Sequence, residues 1–469
     1  MQRNSRLLPC GGVIFAVGLT ACGTLGFRQP VDRAGISAPE MWQSAGEGRG
    51  KKISRGWLTD FGNPGLREAV ERAMTHNQDL AAAESRMRAA EYVRIAGRSR
   101  VLPQAQLATS GSFTISQNGS APSSESENYN AVVSASWELD LWGRLRDLNL
   151  ADDADLAATR ALYRGARLSL AATTARAWIN LIAAEQQLDL ARVTLDSFER
   201  NLRISERNYK GTGQGALDVQ FGRTNVAAAK RAVESSRLIR DETARTIETL
   251  TGAYPSGRTR AGSELPTLKR DVPSGIPAGL LERRPDLAAA RALVYASARR
   301  ADAARKSLLP SIALTGSGGT PTSRFTDLLD PDWLVASIAA SLAQNLYSGG
   351  ALTAEAKAAL ERNRAAVQDY QQAALEAFRE VESALAAEVS LAEQENYLRR
   401  EVEQAALAER QSSRDYADGI EGADILDVLE AQRRANNARS SLIRLRSDRL
   451  RNRIDLHLAL GGDFSTAES

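Results

Sequence analysis

The stretch "DLAAAESRMRAAEYVRIAGRSRVLPQAQLATSGS", residues 79–112, is answered later in the chain by "DLAAARALVYASARRADAARKSLLPSIALTGSG", residues 286–318. Laid side by side without a gap, Asp79 falls on Asp286, Pro103 on Pro310 and Gly111 on Gly318. The same offset carries on to Gly143 with Gly350 and to Tyr209 with Tyr416. It then slips by two residues, so that Asp218 meets Asp427 and Gly252 meets Gly461. A self-match at a fixed offset marks a duplicated structural unit. The halves differ in length chiefly at one turn, which is where a loop tolerates insertion.

Within each copy the hydrophobic period changes. From Gln104 to Ser116, Ala105, Leu107, Gly111, Phe113 and Ile115 alternate with polar neighbours. From Tyr129, the residues Ala131, Val133, Ala135, Trp137, Leu139 and Leu141 face one way, while Asn130, Ser134, Ser136, Glu138 and Asp140 face the other. Period two predicts strands. The second copy supplies partners over 311–318 and 333–347, around "TPTSRFTDLLDP". Long strands with one apolar and one polar face suit a transmembrane barrel. Aromatic residues near their ends, Tyr129, Trp137, Trp142, Trp333 and Tyr347, lie where interfacial girdles belong. Four strands are too few to close a barrel, for which about eight are needed. An open edge is not tolerated in lipid. Strands that span a membrane here therefore require an oligomer, and three copies supply twelve.

Helical periodicity follows each strand pair. Leu181, Leu188, Leu195 and Leu202 recur as a heptad, with Ala184, Ala191 and Phe198 between them, which predicts coiled-coil packing. A helix from Gly143 to Tyr209 would run about 100 Å at ~1.5 Å per residue. A glycine-rich turn and a returning helix over 217–250 come next, and the second copy repeats the plan to Tyr416 and over 425–460. No proline interrupts 123–254 or 332–469, whereas Pro255, Pro266, Pro273, Pro277 and Pro285 crowd the join.

Composition narrows the function classes. The chain has 469 residues and a net charge of +3 although 25% of residues are charged, which argues against nucleic acid or an acidic polymer as partner. Aromatics make up 5%, so closely packed long helices fit better than a sandwich core. Two histidines, His76 and His457, lie far apart, so a histidine-based metal site or triad is not expected, and no cofactor is implied. "GTGQG" at 211–215 follows a helix rather than a strand, unlike a phosphate loop. Scattered Asp and Glu pairs on charged helices fit solvated faces better than a glycosidase pocket. No catalytic residues are assigned.

The N-terminus carries Arg3 and Arg6, then a short apolar run over 7–21, which has the shape of an export signal. The run closes on Leu19-Thr20-Ala21-Cys22, a sequence that resembles the bacterial lipobox, with Cys22 as lipid-bearing residue. The alternative is a simple secretory signal with an incidental cysteine.

The chain as a whole resembles TolC-type outer membrane factors, in particular NodT-type efflux lipoproteins. The resemblance rests on "WLTDFGNPGL" (57–66), "NQDLAAAESRMRAAE" (77–91), "LLERRPDLAAAR" (280–291), the Leu-Pro strand starts at Pro103 and Pro310, and "DILDVLEAQRRANNAR" followed by "LHLALGG", which ends at Gly462. It departs from the family at "AQNLYSGG" (343–350), which lacks the usual proline, and at "GIEGADILDV" (419–428), which is longer than the usual turn. The resemblance implies a mainly α fold with a β-barrel part. A homotrimer would form a 12-stranded barrel continued by a helical coiled-coil tunnel. It implies a passive exit duct in the outer membrane, lipid-anchored, with its helices in the periplasm. A periplasmic adaptor would join it to an inner-membrane transporter. A coiled-coil envelope lipoprotein with a tethering role is the alternative; it explains Cys22 and the heptads but not the period-two hairpins.

Under that resemblance the chain divides into a signal peptide (1–21), a lipidated extension (22–56), a first repeat (57–252), a linker (253–285), a second repeat (286–462) and a tail (463–469). The family's acidic aperture maps onto Asp427 and Glu430, where threefold symmetry would stack two carboxylate rings that favour cations. Arg433 and Arg434 are the candidate latch partners. The tip turns holding Gly211, Gly213, Gly215, Gly419 and Gly422 would meet the adaptor. The competing account of the acids is capping of the helix that follows, near the positive end of its dipole. Asp424 fits that account best.

Overall fold

The computed structural model describes residues 35, 38–44, 56–117, 119, 123–212, 215–262, 264–268, 277–418, 420, 422 and 424–462. Cys22, Gly213 and Gly419 lie outside the described residues. In chain order come α1 (Pro64–His76), α2 (Gln78–Arg98), β1 (Gln104–Ser116), β2 (Ser124–Leu139), α3 (Arg144–Thr212) and α4 (Ala216–Leu250). Then follow α5 (Pro277–Arg283), α6 (Pro285–Lys306), β3 (Ser311–Thr322), β4 (Val335–Ala343), α7 (Ala351–Ala417) and α8 (Ile425–Ala459). No described helix is long and apolar enough to cross a membrane. Contacts divide the chain into two units, one holding Ala96–Asp152 with Val294–Val367, the other Ala34–Ile95, Asp153–Leu293 and Gln368–Ser469.

The first unit is built on an antiparallel four-stranded sheet in the order β1-β2-β3-β4. The strands pair in sequence order, so the two repeats join at the β2–β3 ladder and β1 and β4 are left as edges. The register puts Leu107 beside Val133, Trp137 beside Leu314 and Leu314 beside Ala340. Because side chains alternate across a strand, one face collects Leu107, Phe113, Val133, Trp137, Ile338 and Leu342. All of these are exposed, Ile338 at 85%. The opposite face carries serines that bond across the ladder, Ser116 to Ser124 at 2.7 Å and Ser317 to Ser337 at 2.8 Å. Two tryptophans pin strand ends, Trp137 Nε1 donating to the Val101 carbonyl at 2.9 Å and Trp142 Nε1 to the Pro310 carbonyl at 2.7 Å.

Three strand boundaries depart from the sequence reading. β2 begins at Ser124, because the polar "SESEN" run continues the ladder opposite Thr114, Ile115 and Ser116. β3 runs on past Gly318 to Thr322, since β2 pairs with Pro321 and Thr322 as well. β4 is shorter than expected. Pro331–Trp333 instead forms a 3-10 turn, with the Asp330 carboxylate accepting from Asp332 N at 3.0 Å.

The second unit packs the long helices. Ala171, Ala172 and Ala175 of α3 are fully buried, beside Ile179 and Ile182, against Ala244, Ile247, Leu450 and Ile454. Small side chains let helix axes approach closely. The heptad leucines thin out along α3: Leu181 and Leu188 are buried, Leu195 and Leu202 half-buried. At Gly222 of α4 a Cβ would come within 2.9 Å of Leu202 Cδ1, so glycine sets that approach.

Duplication also shows in how each returning helix ends. Asn77 Nδ2 donates to the Leu250 carbonyl at 3.0 Å, closing α4. At the matching place in the second copy, Arg284 Nη1 donates to the Ala459 carbonyl at 3.2 Å, closing α8. Gly252 and Gly461 follow those helices with φ of 71° and 66°; a Cβ would lie 2.5 Å from the His76 carbonyl oxygen and 3.2 Å from the Arg283 carbonyl carbon respectively. Different side chains do one job at equivalent positions.

Candidate functional site

The candidate site lies at the turns α3–α4 and α7–α8. Helix starts leave backbone N–H groups without partners, and the two copies solve this differently. Asp424 sits extended and its carboxylate accepts from Leu426 N at 3.2 Å. Its counterpart before α4 is Gly215, in the left-handed region at φ 88° with no side-chain cap. The next acids, Asp218 and Asp427, each stand in a first helical turn. Asp424 is thus a cap, as the sequence suggested; Asp427 does not make that bond.

Along α8 the burial pattern sorts the side chains by face. Ile425, Val428, Gln432 and Ala435 are buried, while Asp427, Arg433 and Arg434 are exposed and Glu430 half-exposed. Asp427 and Glu430, three apart, share the outward edge. Gln432, at 3% exposure, anchors the inward one: its Nε2 donates to Ser197 Oγ at 3.2 Å and its Oε1 accepts from Asn201 Nδ2 at 3.0 Å. A buried amide satisfied on both ends fixes the rotation of α8 against α3. That rotation is what holds the carboxylates outward.

The two acids differ in their electrostatics. Glu430 is gripped within its own helix by Arg434 Nε at 2.6 Å and by Arg433 through Nη2 at 2.8 Å and Nε at 2.9 Å. Arg434 first, then Arg433, hold its carboxyl below the usual carboxylate range. Asp427 has no basic group within salt-bridge distance among the described residues. No counterpart of this triad exists in the first copy, where Phe221, Thr224 and Asn225 take the places of Glu430, Arg433 and Arg434.

Of the turn glycines, Gly211 is the last residue but one of α3 and faces open space, as does Gly422 at φ 85°. At Gly215 a Cβ would meet Asp218 Oδ2 at 3.2 Å.

Sequence reading did not anticipate three polar clusters away from the turns. Arg284, besides closing α8, pairs with Asp286 at 2.7 Å and Glu380 at 2.6 Å. Glu395 accepts from Arg399, Arg446 and Arg449; burial alone would raise its carboxyl, but Arg449, Arg399 and Arg446 bring it down to about 2. Glu248 receives the backbone N–H groups of Gly257, Arg258 and Thr259 at 2.7–3.0 Å, tying the inter-repeat linker to α4. Its burial is likewise outweighed, and the carboxyl lies at about 2. The buried His457 stacks on Trp57 at 5.5 Å, and burial, then Arg453, drive its pKa to about 3.

The sequence matches the family described as outer membrane efflux protein over residues 69–253 and 276–462. It is 29% identical to the pyoverdine export outer membrane protein OpmQ of Pseudomonas putida, over 99% of this chain and 98% of that protein. It is 25% identical to the cation efflux system protein CusC of Escherichia coli, over 97% of this chain and 99% of that protein. Among solved structures, the outer-membrane channel OprN superposes with a TM-score of 0.85 at 24% identity, over 93% of this chain and 99% of that one.

Proposed function

The chain belongs to the outer membrane efflux protein family and is an outer-membrane conduit rather than an enzyme, and from this premise we propose that three copies close one twelve-stranded barrel continued by a helical tunnel. The observation that carries the assembly is the sheet. Its outer face is apolar and exposed, and its two edge strands, β1 and β4, each have a free side with no strand paired to it among the described residues. In hydrocarbon each unpaired backbone group would cost several kcal/mol, on the order of a lost buried hydrogen bond. Pairing β1 of one copy with β4 of the next removes both edges at once. Cys22, lipid-modified, anchors the N-terminus to the same membrane.

The acidic edge of α8 is read as the constriction. Three copies bring three Asp427 and three Glu430 side chains around one axis, as rings that favour cations. Arg433 and Arg434 hold Glu430 as a latch until a periplasmic adaptor engages the turns at Gly211, Gly213, Gly215, Gly419 and Gly422. An inner-membrane transporter supplies cargo through that adaptor. Relatives with the same scaffold are named for such different cargo as pyoverdine and cations, which supports leaving the choice of cargo to the transporter.

Single-channel conductance in a planar bilayer tests the reading, with wild type beside Asp427→Ala, Glu430→Ala. The expected result is a small cation-preferring conductance that grows and loses preference in the variant. Equal conductance in both would move the constriction elsewhere, and none in either would remove the duct.

A further inference from the structure

The outward edge of α8 does not stop at Glu430. Positions spaced alternately three and four residues apart continue from Asp427 through Arg434, Arg444 and Arg451 to Asp455, and every one of them is polar. A 3–4 spacing keeps to one side of a supercoiled helix, so this is a single seam. The matching positions of α4 are mixed: Phe221, Ala228, Ala232 and Ile239 are apolar, whereas Asp218, Asn225, Ser235, Glu242 and Thr246 are polar; Ile239 is 58% exposed. One repeated scaffold therefore carries a seam that is polar throughout on α8 and mixed on α4.

Charges along the α8 seam are mostly paired. Glu430 holds Arg434, Arg451 pairs with Asp448, and Asp455 takes Arg176 at 2.5 Å. The exceptions are Asp427 at the tip and, farther along, Arg444. Its guanidinium bonds only to Ser440, at 2.9 Å to Oγ and 3.4 Å to the carbonyl, and no carboxylate lies within salt-bridge distance among the described residues. Along the helix Arg444 stands about 20 Å from Glu430 at ~1.5 Å per residue. That exceeds two Debye lengths at physiological salt, each about 8 Å, so the acids at the tip do not cancel its field.

We propose that Arg444 forms a ring of three guanidinium groups on the inner wall of the duct, an anion-binding rung for carboxylate-bearing cargo. The inference deepens the reading of α8 as the wall and rests on it. A guanidinium offers a planar fork that fits a carboxylate, and a ring of one sign inside a confined channel concentrates counter-ions. Cargo would thus meet two regions of opposite preference, carboxylate rings at the tip and an arginine ring farther along.

The test uses single-channel currents through the full-length protein, with citrate added on the barrel side as the anionic probe. Wild type, Arg444→Gln, Arg444→Lys and the Asp427→Ala, Glu430→Ala variant are compared. Citrate should block wild type, and Arg444→Gln should raise the half-blocking concentration about tenfold or more, the scale of one charge-assisted hydrogen bond. The reversal potential should also move toward greater cation preference, and Arg444→Lys should keep part of the block. Citrate block indifferent to Arg444→Gln, in a channel whose selectivity still responds at Asp427 and Glu430, overturns the arginine ring and leaves the duct standing. Absence of conductance in every variant overturns the duct reading itself.

Discussion

At Asp427 and Glu430 two carboxylates on one helical edge carry unequal effective charge. Glu430 is neutralised locally by Arg433 and Arg434, whereas Asp427 has no basic partner among the described residues. Asp427→Ala should therefore reduce cation preference more than Glu430→Ala does, and Arg433→Ala with Arg434→Ala should increase it by freeing Glu430. Reversal potentials in asymmetric KCl decide between these orders. Glu248 makes a stability prediction of a different kind. Its folded pKa of about 2 lies below the ordinary glutamate value of 4.5, so its contribution is present above about 4.5 and is lost as pH falls toward 2. Glu248→Gln sets an amide NH2 against backbone donors and should cost about 2 kcal/mol at pH 7. The gap from wild type should narrow as pH falls from 4.5 toward 2, read as the difference in thermal midpoint. These residues differ in how far sequence exposes them. The shared edge of Asp427 and Glu430, and their nearness to Arg433 and Arg434, follow from spacings of three and four on a helix. Asn77 reaching Leu250, 173 residues away, and Arg284 reaching Ala459, 175 away, follow from no local spacing. The repeat alignment does pair the two sites, but asparagine and arginine share no motif.

At the scale of elements, period and proline placement located the long helices to within a few residues: α3 was expected over 143–209 and spans Arg144–Thr212. Strand ends were less legible because a neighbouring strand sets them. "TPTSRFTDLLDP" reads locally as a turn, yet β2 pairs along its start as far as Thr322. The tip turns invite a sharper test than glycine replacement in general. Gly215 and Gly422 have positive φ, so side chains there are strained whatever their contacts. Gly211 is helical and faces open space. Gly211→Trp should leave the thermal midpoint within about 2 °C of wild type, as expected of a surface substitution, while abolishing efflux in cells that carry the pump. Retained efflux would remove this turn from the adaptor contact. Arg284 probes the other end of α8. Arg284→Ala leaves Asp286, Glu380 and the Ala459 carbonyl without their shared donor and should destabilise by about 3 kcal/mol. Arg284→Lys, lacking the fork, should recover only part of that in a denaturant midpoint.

For the whole molecule, the decisive asymmetry is between the two faces of one sheet. Ile338 and Ser337 are neighbours on β4, an edge strand, and point to opposite sides. If three sheets close a barrel in lipid, Ile338 faces hydrocarbon and Ser337 faces the lumen. An arginine on the lipid face near the bilayer midplane costs roughly 2–4 kcal/mol, whereas lumen positions accept charge. Ile338→Arg should therefore lower the yield of membrane-extracted trimer, and Ser337→Arg should assemble normally while shifting ion selectivity. Both substitutions place the same charged side chain on the same strand, so a tethering coiled coil with a soluble hairpin would treat them alike. Trimer recovery on native gels after detergent extraction separates the two accounts. Equal recovery of both variants would mean that the apolar face is covered by protein rather than lipid, and the barrel would then have to be abandoned although the helices stand.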